Sequence, residues 1–376
     1  MSHVGIVAVS RPAFGGTFQY THSTIEALRR IGSIECTIFT EADNHSYDHL
    51  GLPLERLPSA PVGLWRAIGR LLGLRSLGLF SRMDVVIAPI YTTYLMASAP
   101  PFAFTLHDLQ EKYYPEYFSL KRRLWRNTVN PMLVNRASRV ICESRWVKSD
   151  IERFFRVPAE RIAVITAPPV PTFNEHETAT LPLEATAAKL NLPKQFIFYP
   201  AQFFPHKNHY RLVEAFAAVS QRHPDCWLLL TGQQKYEYGR VFRRVSELGL
   251  AERVRHLGYL ETDDLATVYK RATLVVIPTL FESVSIPMYE AFSVGTPVCA
   301  SNVVALPEQA GDAAVLFDPA SVPDIAEKIA QTLGNETLRH ELVGRGKRRV
   351  AELTTDRYAA ELKRLISELQ ARAVDK

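Results

Sequence analysis

Cysteine is scarce: the 376 residues contain four, Cys36, Cys142, Cys226 and Cys299. They stand far apart, form no CxxC pair and match no zinc-ligand spacing, so neither a disulfide framework nor a metal site is expected. Each sits in or beside an apolar stretch, which predicts buried thiols in a reducing compartment. Long apolar runs are also missing. No stretch of about 18 apolar residues occurs, so the sequence offers no membrane-spanning helix. The opening "MSHVGIVAVSRPAFGG" enters a strand-like run with no basic leader and long apolar core, and the expected location is cytoplasmic. "VSRPAFGG" lacks GxGxxG and no suitable ribose-binding acid follows it, which argues against a Rossmann dehydrogenase.

The composition, 47% hydrophobic and 22% charged, is that of an ordinary globular chain, and the length predicts two domains. The net charge of +5 is uneven: residues 1–170 carry 20 Lys and Arg against 14 Asp and Glu. The excess lies in two acid-free stretches. Arg56, Arg66, Arg70, Arg75 and Arg82 fall between Glu55 and Asp84, and Lys121, Arg122, Arg123, Arg126, Arg136 and Arg139 fall between Glu116 and Glu143. No nucleic-acid module accompanies them, so nucleic acid is not an expected partner. Residues 63–82, "GLWRAIGRLLGLRSLGLFSR", place Leu64, Ile68, Leu71, Leu72 and Leu79 near one helical stripe beside Trp65 and four arginines. Such a stretch is either a surface helix packed on its own domain or a peripheral contact with anionic membrane.

Short apolar strands alternate with helical periods twice over, which predicts parallel sheets covered on both faces. "HVGIVAVS", "IECTIFT", "DVVIAP", "FAFTLHD", "RVICES" and "RIAVIT" read as strands of a first domain, 1–170. Residues 171–194 belong to a Pro-, Thr- and Ala-rich stretch that reads as a linker. The alternation restarts with "QFIFYPA" and runs through "CWLLLTG", "VRHLGYL", "TLVVIPT", "TPVCASN" and "AAVLFDP" in a second domain, 195–355. A last helix, 356–376, either stays with the second domain or crosses back to the first. Such sheets hold ligands outside the carboxyl ends of their strands.

"LFESVSIPMYEAF", residues 280–292, holds Glu282 and Glu290 around a helix start. Pro287 suits the first helical position, and Gly295 with Pro297 ends the helix. Glu282 then lies in the strand-to-helix loop and Glu290 inside the helix. Two readings stand: capping plus a solvated carboxylate, or two acceptors gripping separate hydroxyls while backbone N–H groups hold phosphate. Gly15 and Gly16 form a loop whose backbone can approach a ligand closely.

The longer stretch "TLFESVSIPMYEAFSVGTPVCASNVVALPEQAGDAAVLFDP", 279–319, resembles the donor-site signature of the retaining GT-B-fold glycosyltransferases of family four, the group 1 glycosyl transferases. "FYPAQFFPHKNHYRLVEAF", "LGYLETDDLATVYKRATLVVIPT" and "GGTFQYTHSTIEAL" resemble the same family in the same order. The resemblance implies two doubly wound, Rossmann-like domains facing one interdomain cleft, the first taking an acceptor and the second a nucleotide diphospho-sugar. It implies that Glu282 binds the sugar hydroxyls and Glu290 the ribose. The pyrophosphate is expected on backbone N–H groups around Val284–Ile286 and on Lys207, and His107 is expected beside donor sugar and acceptor. Two departures stand out. Gln202 occupies a position usually held by Arg, and Ser283, Val284 and Ser285 replace a glycine-rich loop. The implied reaction is retaining, front-face hexosyl transfer without metal or cofactor, with GDP-mannose as donor. The implied acceptor is a glycan or lipid-linked glycan of a surface polysaccharide. The alternative implied by the two departures is a GT-B-fold protein without transfer activity, acting as a nucleotide-sugar binding or regulatory partner.

Overall fold

The computed structural model describes residues 1–58, 68, 78–169 and 181–374. Most of the amphipathic stretch 63–82, with Arg66, Arg70 and Arg75, lies outside the described residues, as does 171–180 of the stretch read as linker. The chain divides into two compact units, residues 1–168 with 353–376 and residues 169–352. All four cysteines are buried thiols.

The first unit is a seven-stranded parallel sheet with the order β3-β2-β1-β4-β5-β6-β7. Its strands are β1 (Ser2–Val7), β2 (Ile34–Thr40), β3 (Leu54–Arg56), β4 (Val85–Ala88), β5 (Phe102–Thr105), β6 (Arg139–Cys142) and β7 (Ile162–Val164). Every residue of β4, β5 and β6 is buried. These strands show no polar–apolar alternation because both faces of the sheet are covered. On one face Ile25 and Leu28 of α1 (Gly16–Arg29) pack with Tyr358, Leu362, Ile366 and Leu369 of the C-terminal helix Thr355–Val374. On the other, α2 (Leu120–Arg136) supplies Val129 and Leu133, and α3 (Arg145–Phe155) supplies Val147 and Ile151. The C-terminal helix therefore belongs to the first unit, where the Tyr358 and Thr24 hydroxyls share a 2.9 Å hydrogen bond and Arg139 pairs with Glu368 at 2.9 Å. The three-residue edge strand β3 was not legible in the sequence, being short and only partly buried.

The second unit is a six-stranded parallel sheet with the order β10-β9-β8-β11-β12-β13. Its strands are β8 (Phe196–Pro200), β9 (Trp227–Thr231), β10 (Val254–His256), β11 (Leu274–Ile277), β12 (Val298–Ser301) and β13 (Ala314–Phe317). Its helices are α4 (Leu183–Lys189), α5 (His209–Arg222), α6 (Tyr238–Glu247), α7 (Thr262–Arg271), α8 (Ile286–Val294), α9 (Leu306–Ala310), α10 (Val322–Gly334) and α11 (Glu336–Ala351). Helix α4 falls inside the stretch read as linker. Its "LEATAAK" is made of good helix formers, and it is tied to α7 by ion pairs Lys189–Asp264 at 2.7 Å and Glu184–Arg271 at 2.9 Å. Among the described residues no helix is long and apolar enough to cross a membrane.

Both sheets change winding direction beside their first strand, between β1 and β4 and between β8 and β11. At such a point neighbouring connections leave the strand ends in opposite directions, opening a crevice.

Candidate active site

In the second unit, the loops after β8 and β11 flank that crevice. Gly232, at φ +112°, lets the end of β9 pack against the first loop: a Cβ there would lie 2.7 Å from the Ala201 carbonyl oxygen. Gln202 follows, half-buried, and the chain makes a 3-10 turn over Pro205–Lys207. Asn208, at φ +59°, donates its side-chain amide to the carbonyls of Pro278 at 2.8 Å and Pro319 at 2.9 Å. The His206 carbonyl accepts from Leu280 N at 2.7 Å and from Thr279 Oγ1 at 3.0 Å. These bonds stitch the two loops together and bring Lys207 Nζ to 2.5 Å from Glu282 Oε2.

Helix α8 starts with Pro287 in its first turn and stops at Gly295, whose φ of +79° is left-handed. Glu290 points inward from this helix and is 4% exposed. The Tyr269 hydroxyl donates to its Oε2 at 2.6 Å. Burial pushes the Glu290 carboxyl up to about 7, and the Tyr269 hydrogen bond offsets only part of that shift. Lys207 and Glu282 thus come together, while Glu290 is held separately by Tyr269.

The loop between them corrects one expectation. Ser285 is fully buried, its N–H donates to Gln309 Oε1 at 2.7 Å, and its carbonyl accepts from Gln309 Nε2 at 2.6 Å. A side-chain amide here replaces the strand-like partner that an irregular buried segment lacks. The Ser285 N–H is therefore occupied and its side chain buried, so of the three N–H groups expected around Val284–Ile286 this one already has a partner. Gln309 is itself held by Arg349, whose Nε donates to its carbonyl at 3.0 Å.

In the first unit Gly15 adopts φ +58° and ψ −116°, a conformation open to glycine, and Gly16 begins α1. The Tyr20 ring of α1 meets the His107 ring edge-on at 4.8 Å, and the Tyr20 and Thr105 hydroxyls share a 3.0 Å hydrogen bond. His107 Nδ1 is 2.9 Å from Glu143 Oε2 and its Nε2 is 2.9 Å from the Pro89 carbonyl oxygen. A carbonyl and a carboxylate both accept, so both ring nitrogens face acceptors, an arrangement that favours the charged ring. Burial opposes that charge, but Glu143 and the Pro89 carbonyl outweigh it and hold the pKa above the ordinary histidine value. The loop beyond is fixed by Arg126, whose Nη2 pairs with Asp108 at 2.7 Å and whose Nε pairs with Glu111 at 2.8 Å.

Sequence reasoning missed Glu143, Tyr269 and Gln309. The signal for Glu143 was in the strand register: Thr105 pairs with Ile141, so His107 and Glu143 stand at equal offsets past neighbouring parallel strands. Nothing in sequence marked Tyr269 or Gln309, which reach the site from α7 and α9.

Residues 14–167 match the model of Glycosyltransferase Family 4 and residues 184–349 that of Glycosyl transferases group 1. The chain is 30% identical over 249 residues to the O-antigen chain mannosyltransferase B of Escherichia coli, covering 64% of each chain, so it spans less than two thirds of that relative. It is 24% identical over 327 residues to the O-antigen chain mannosyltransferase RfbU of Salmonella typhimurium, covering 84% of this chain and 86% of that one. Its fold is similar to that of the sucrose-phosphate synthase of Thermosynechococcus elongatus, with a TM-score of 0.79 at 20% identity, covering 99% of this chain and all of the other.

Proposed function

The chain belongs to the group 1 glycosyl transferases and has their GT-B fold, and from that premise we propose that it moves a hexose from a nucleotide diphospho-sugar to a glycan of a surface polysaccharide. The proposed sugar is mannose, carried by GDP, in keeping with the two O-antigen mannosyltransferases it resembles. The proposed acceptor is a lipid-linked glycan at the cytoplasmic face of an anionic membrane.

The observation that carries this reading is the Lys207–Glu282 pair at the switch point of the second sheet. Lys207 supplies a point charge for a diphosphate. Glu282, released from Lys207 when phosphate takes its place, accepts hydrogen bonds from the sugar hydroxyls. Glu290 accepts from the ribose. The start of α8, with the N–H groups of Val284 and Ile286, stabilises the negative charge that builds on the leaving phosphate. Transfer retains anomeric configuration: the sugar–phosphate C–O bond breaks, the acceptor oxygen bonds to the same face of the carbon, and the acceptor proton passes to the leaving phosphate. No protein base and no metal take part. His107, in the acceptor-binding unit, acts as a fixed positive charge, since an imidazolium has no lone pair with which to accept a proton.

One specific observation favours the competing reading of a nucleotide-sugar binder without transfer: Gln309 closes the Ser285 N–H. Incubation with a panel of UDP- and GDP-sugars separates the two. The transfer reading expects a thermal shift with GDP-mannose, corresponding to about 2.7 kcal/mol at 100 times Kd, and slow release of GDP that survives EDTA. Thermal shift without any nucleotide release identifies the binder. No shift with any donor overturns both.

A further inference from the structure

Helix α11, the last helix of the second unit, touches both α8 and α9. Its Gly346 is buried against α8: a Cβ at that position would lie 2.7 Å from Phe292 Cδ1 and 3.3 Å from Phe292 Cβ. Phe292 is itself buried, two residues after Glu290. Val343 and Lys347 meet the glycine that stops α8, since a Cβ at Gly295 would lie 3.5 Å from Val343 Cγ1 and 3.1 Å from Lys347 Cε. Interiors this close-packed transmit small shifts, so the seat of α11 fixes the helix that carries Glu290.

Arg349, three residues after Gly346, reaches α9. Its Nε donates to the Gln309 carbonyl at 3.0 Å and its Nη2 to the Glu308 carbonyl at 2.5 Å. Both carbonyls lie at the C-terminal end of α9, which is five residues long and stops at Gly311, φ +56°. The last carbonyls of a helix lack partners within it, and a cation there is also favoured by the helix dipole. No other hydrogen bond to the Gln309 carbonyl is made among the described residues. One turn earlier, Arg345 donates to the Asp312 carbonyl at 3.2 Å. An arginine capping a short helix is ordinary. Here the capped residue is the one whose side chain grips both backbone groups of Ser285. Arg349, Gln309 and Ser285 therefore form one chain of hydrogen bonds from α11 to the loop before α8.

We propose that Arg349 is a positioning residue for the donor site, setting the place of the Ser285 loop relative to Glu290 by way of Gln309. This rests on the proposed function, in which that loop meets the diphosphate and Glu290 the ribose. The two groups belong to one ligand, so the spacing of their contacts decides how well it is held. Helix α9 has too few internal bonds to fix its own orientation. Helix α11, with 16 residues and its seat on α8, supplies the rigid reference.

The experiment uses the full chain with Arg349→Met and Arg349→Lys, each alone and combined with Gln309→Leu. Hydrogen exchange over residues 280–286 is followed by mass spectrometry without nucleotide, and affinity for GDP and UDP by calorimetry. Arg349 is exposed, so its variants are expected to fold. Arg349→Met should raise exchange over 280–286, leave the strands of the first unit unchanged, and weaken GDP by about 3–10-fold, the value of a partly exposed charge-assisted hydrogen bond. Arg349→Lys keeps the charge without the planar fork and should fall between the two. In the Gln309→Leu background, Arg349→Met should cost little further affinity, because the connection it acts through is already cut. A role in helix stability alone would not produce that loss of additivity. Unchanged exchange over 280–286 in Arg349→Met overturns the proposal. So does raised exchange with wild-type GDP affinity, and so does full additivity with Gln309→Leu. If wild type binds neither GDP nor UDP, the proposed function fails and this role falls with it; raised exchange in the same variant then shows that the fault lies with the ligand and not with the chain of hydrogen bonds.

Discussion

Lys207 Nζ stands 2.5 Å from Glu282 Oε2, so the two residues proposed to grip diphosphate and sugar already neutralise each other. Both side chains are mostly buried, and removing one leaves the other charge poorly solvated. Lys207→Ala should weaken GDP binding far more than guanosine binding, measured by calorimetry. Glu282→Gln should lower turnover by roughly 10–150-fold, the value of one charge-assisted hydrogen bond. The double variant should be more stable than the sum of the two single losses, because neither charge is then stranded. Strict additivity in that cycle would show that the pair is not coupled. Gln202→Arg, which adds a second cation to the loop after β8, should tighten GDP.

Glu290 gives a prediction with opposite signs for stability and binding. Its folded carboxyl titrates near 7 against an ordinary value of 4.5. Below the ordinary value both folded and unfolded chains hold the proton, so the group has no effect. Between the two values only the folded chain holds it, and stability falls as pH rises; above about 7 the loss is complete. Glu290→Gln keeps an acceptor for Tyr269 and removes the titration. The variant should therefore melt higher than wild type at pH 8 and equally at pH 4.5, while binding the nucleotide more weakly at pH 8. A variant less stable than wild type at pH 8 would contradict the buried-carboxyl account.

How much of this was legible follows from where each residue gets its partner. The sheet strands could be read because each is a short apolar run covered on both faces, and "TLVVIPT" or "IECTIFT" has no other use for such a run. Glu282, Glu290 and Lys207 are singled out through the resemblance of their stretches to one family, and the structure places them in the loops after β11 and β8 and in α8, close to the strands that precede them in sequence. Gln309 could not be read: its partner, Ser285, is 24 residues away and the contact depends on how α9 packs. The same holds for Tyr269, 21 residues before Glu290. The C-terminal helix has an ordinary amphipathic pattern, and only the complementary surface of α1 decides that it joins the first unit.

The His107–Glu143 pair favours the charged form of the ring. With its pKa raised, His107 contributes stability that is complete below the ordinary histidine value near 6.5 and is lost as pH rises through the folded value. Ring 15N shifts, assigned by comparison with His107→Gln, should show the ring titrating above the ordinary histidine value. Glu143→Gln should lower that pKa towards or below 6.5, since burial then acts against the charge with less opposition. If His107 acts as a fixed charge, the pH at which turnover falls should move down with its pKa in Glu143→Gln. A turnover profile that stays in place while the NMR titration shifts would remove His107 from the chemistry and leave it a structural residue.

Gln309 makes the last prediction, because its amide satisfies two backbone groups of one buried residue. Gln309→Leu keeps the volume and strands the N–H of Ser285, while the Ser285 carbonyl keeps only its 3.2 Å bond from Met288 N. Each buried group left unpaired costs about 1–3 kcal/mol, less whatever the loop recovers by turning towards water. At roughly 2–4 °C per kcal/mol for a chain of this class, the melting temperature should fall by several degrees. GDP affinity should fall with it, because the N–H groups of Val284 and Ile286 flank the freed residue. Gln309→Glu separates this account from simple damage to packing. A protonated glutamate can accept from the Ser285 N–H and donate to the Ser285 carbonyl as the amide does, whereas an ionised one can only accept. Burial raises a carboxyl pKa, so at pH 5 the side chain should be neutral and the variant should match wild type in both melting temperature and GDP affinity. At pH 8 it should resemble Gln309→Leu. Equal deficits at the two pH values would mean that the side chain matters for its shape and not for the pair of hydrogen bonds it makes to Ser285.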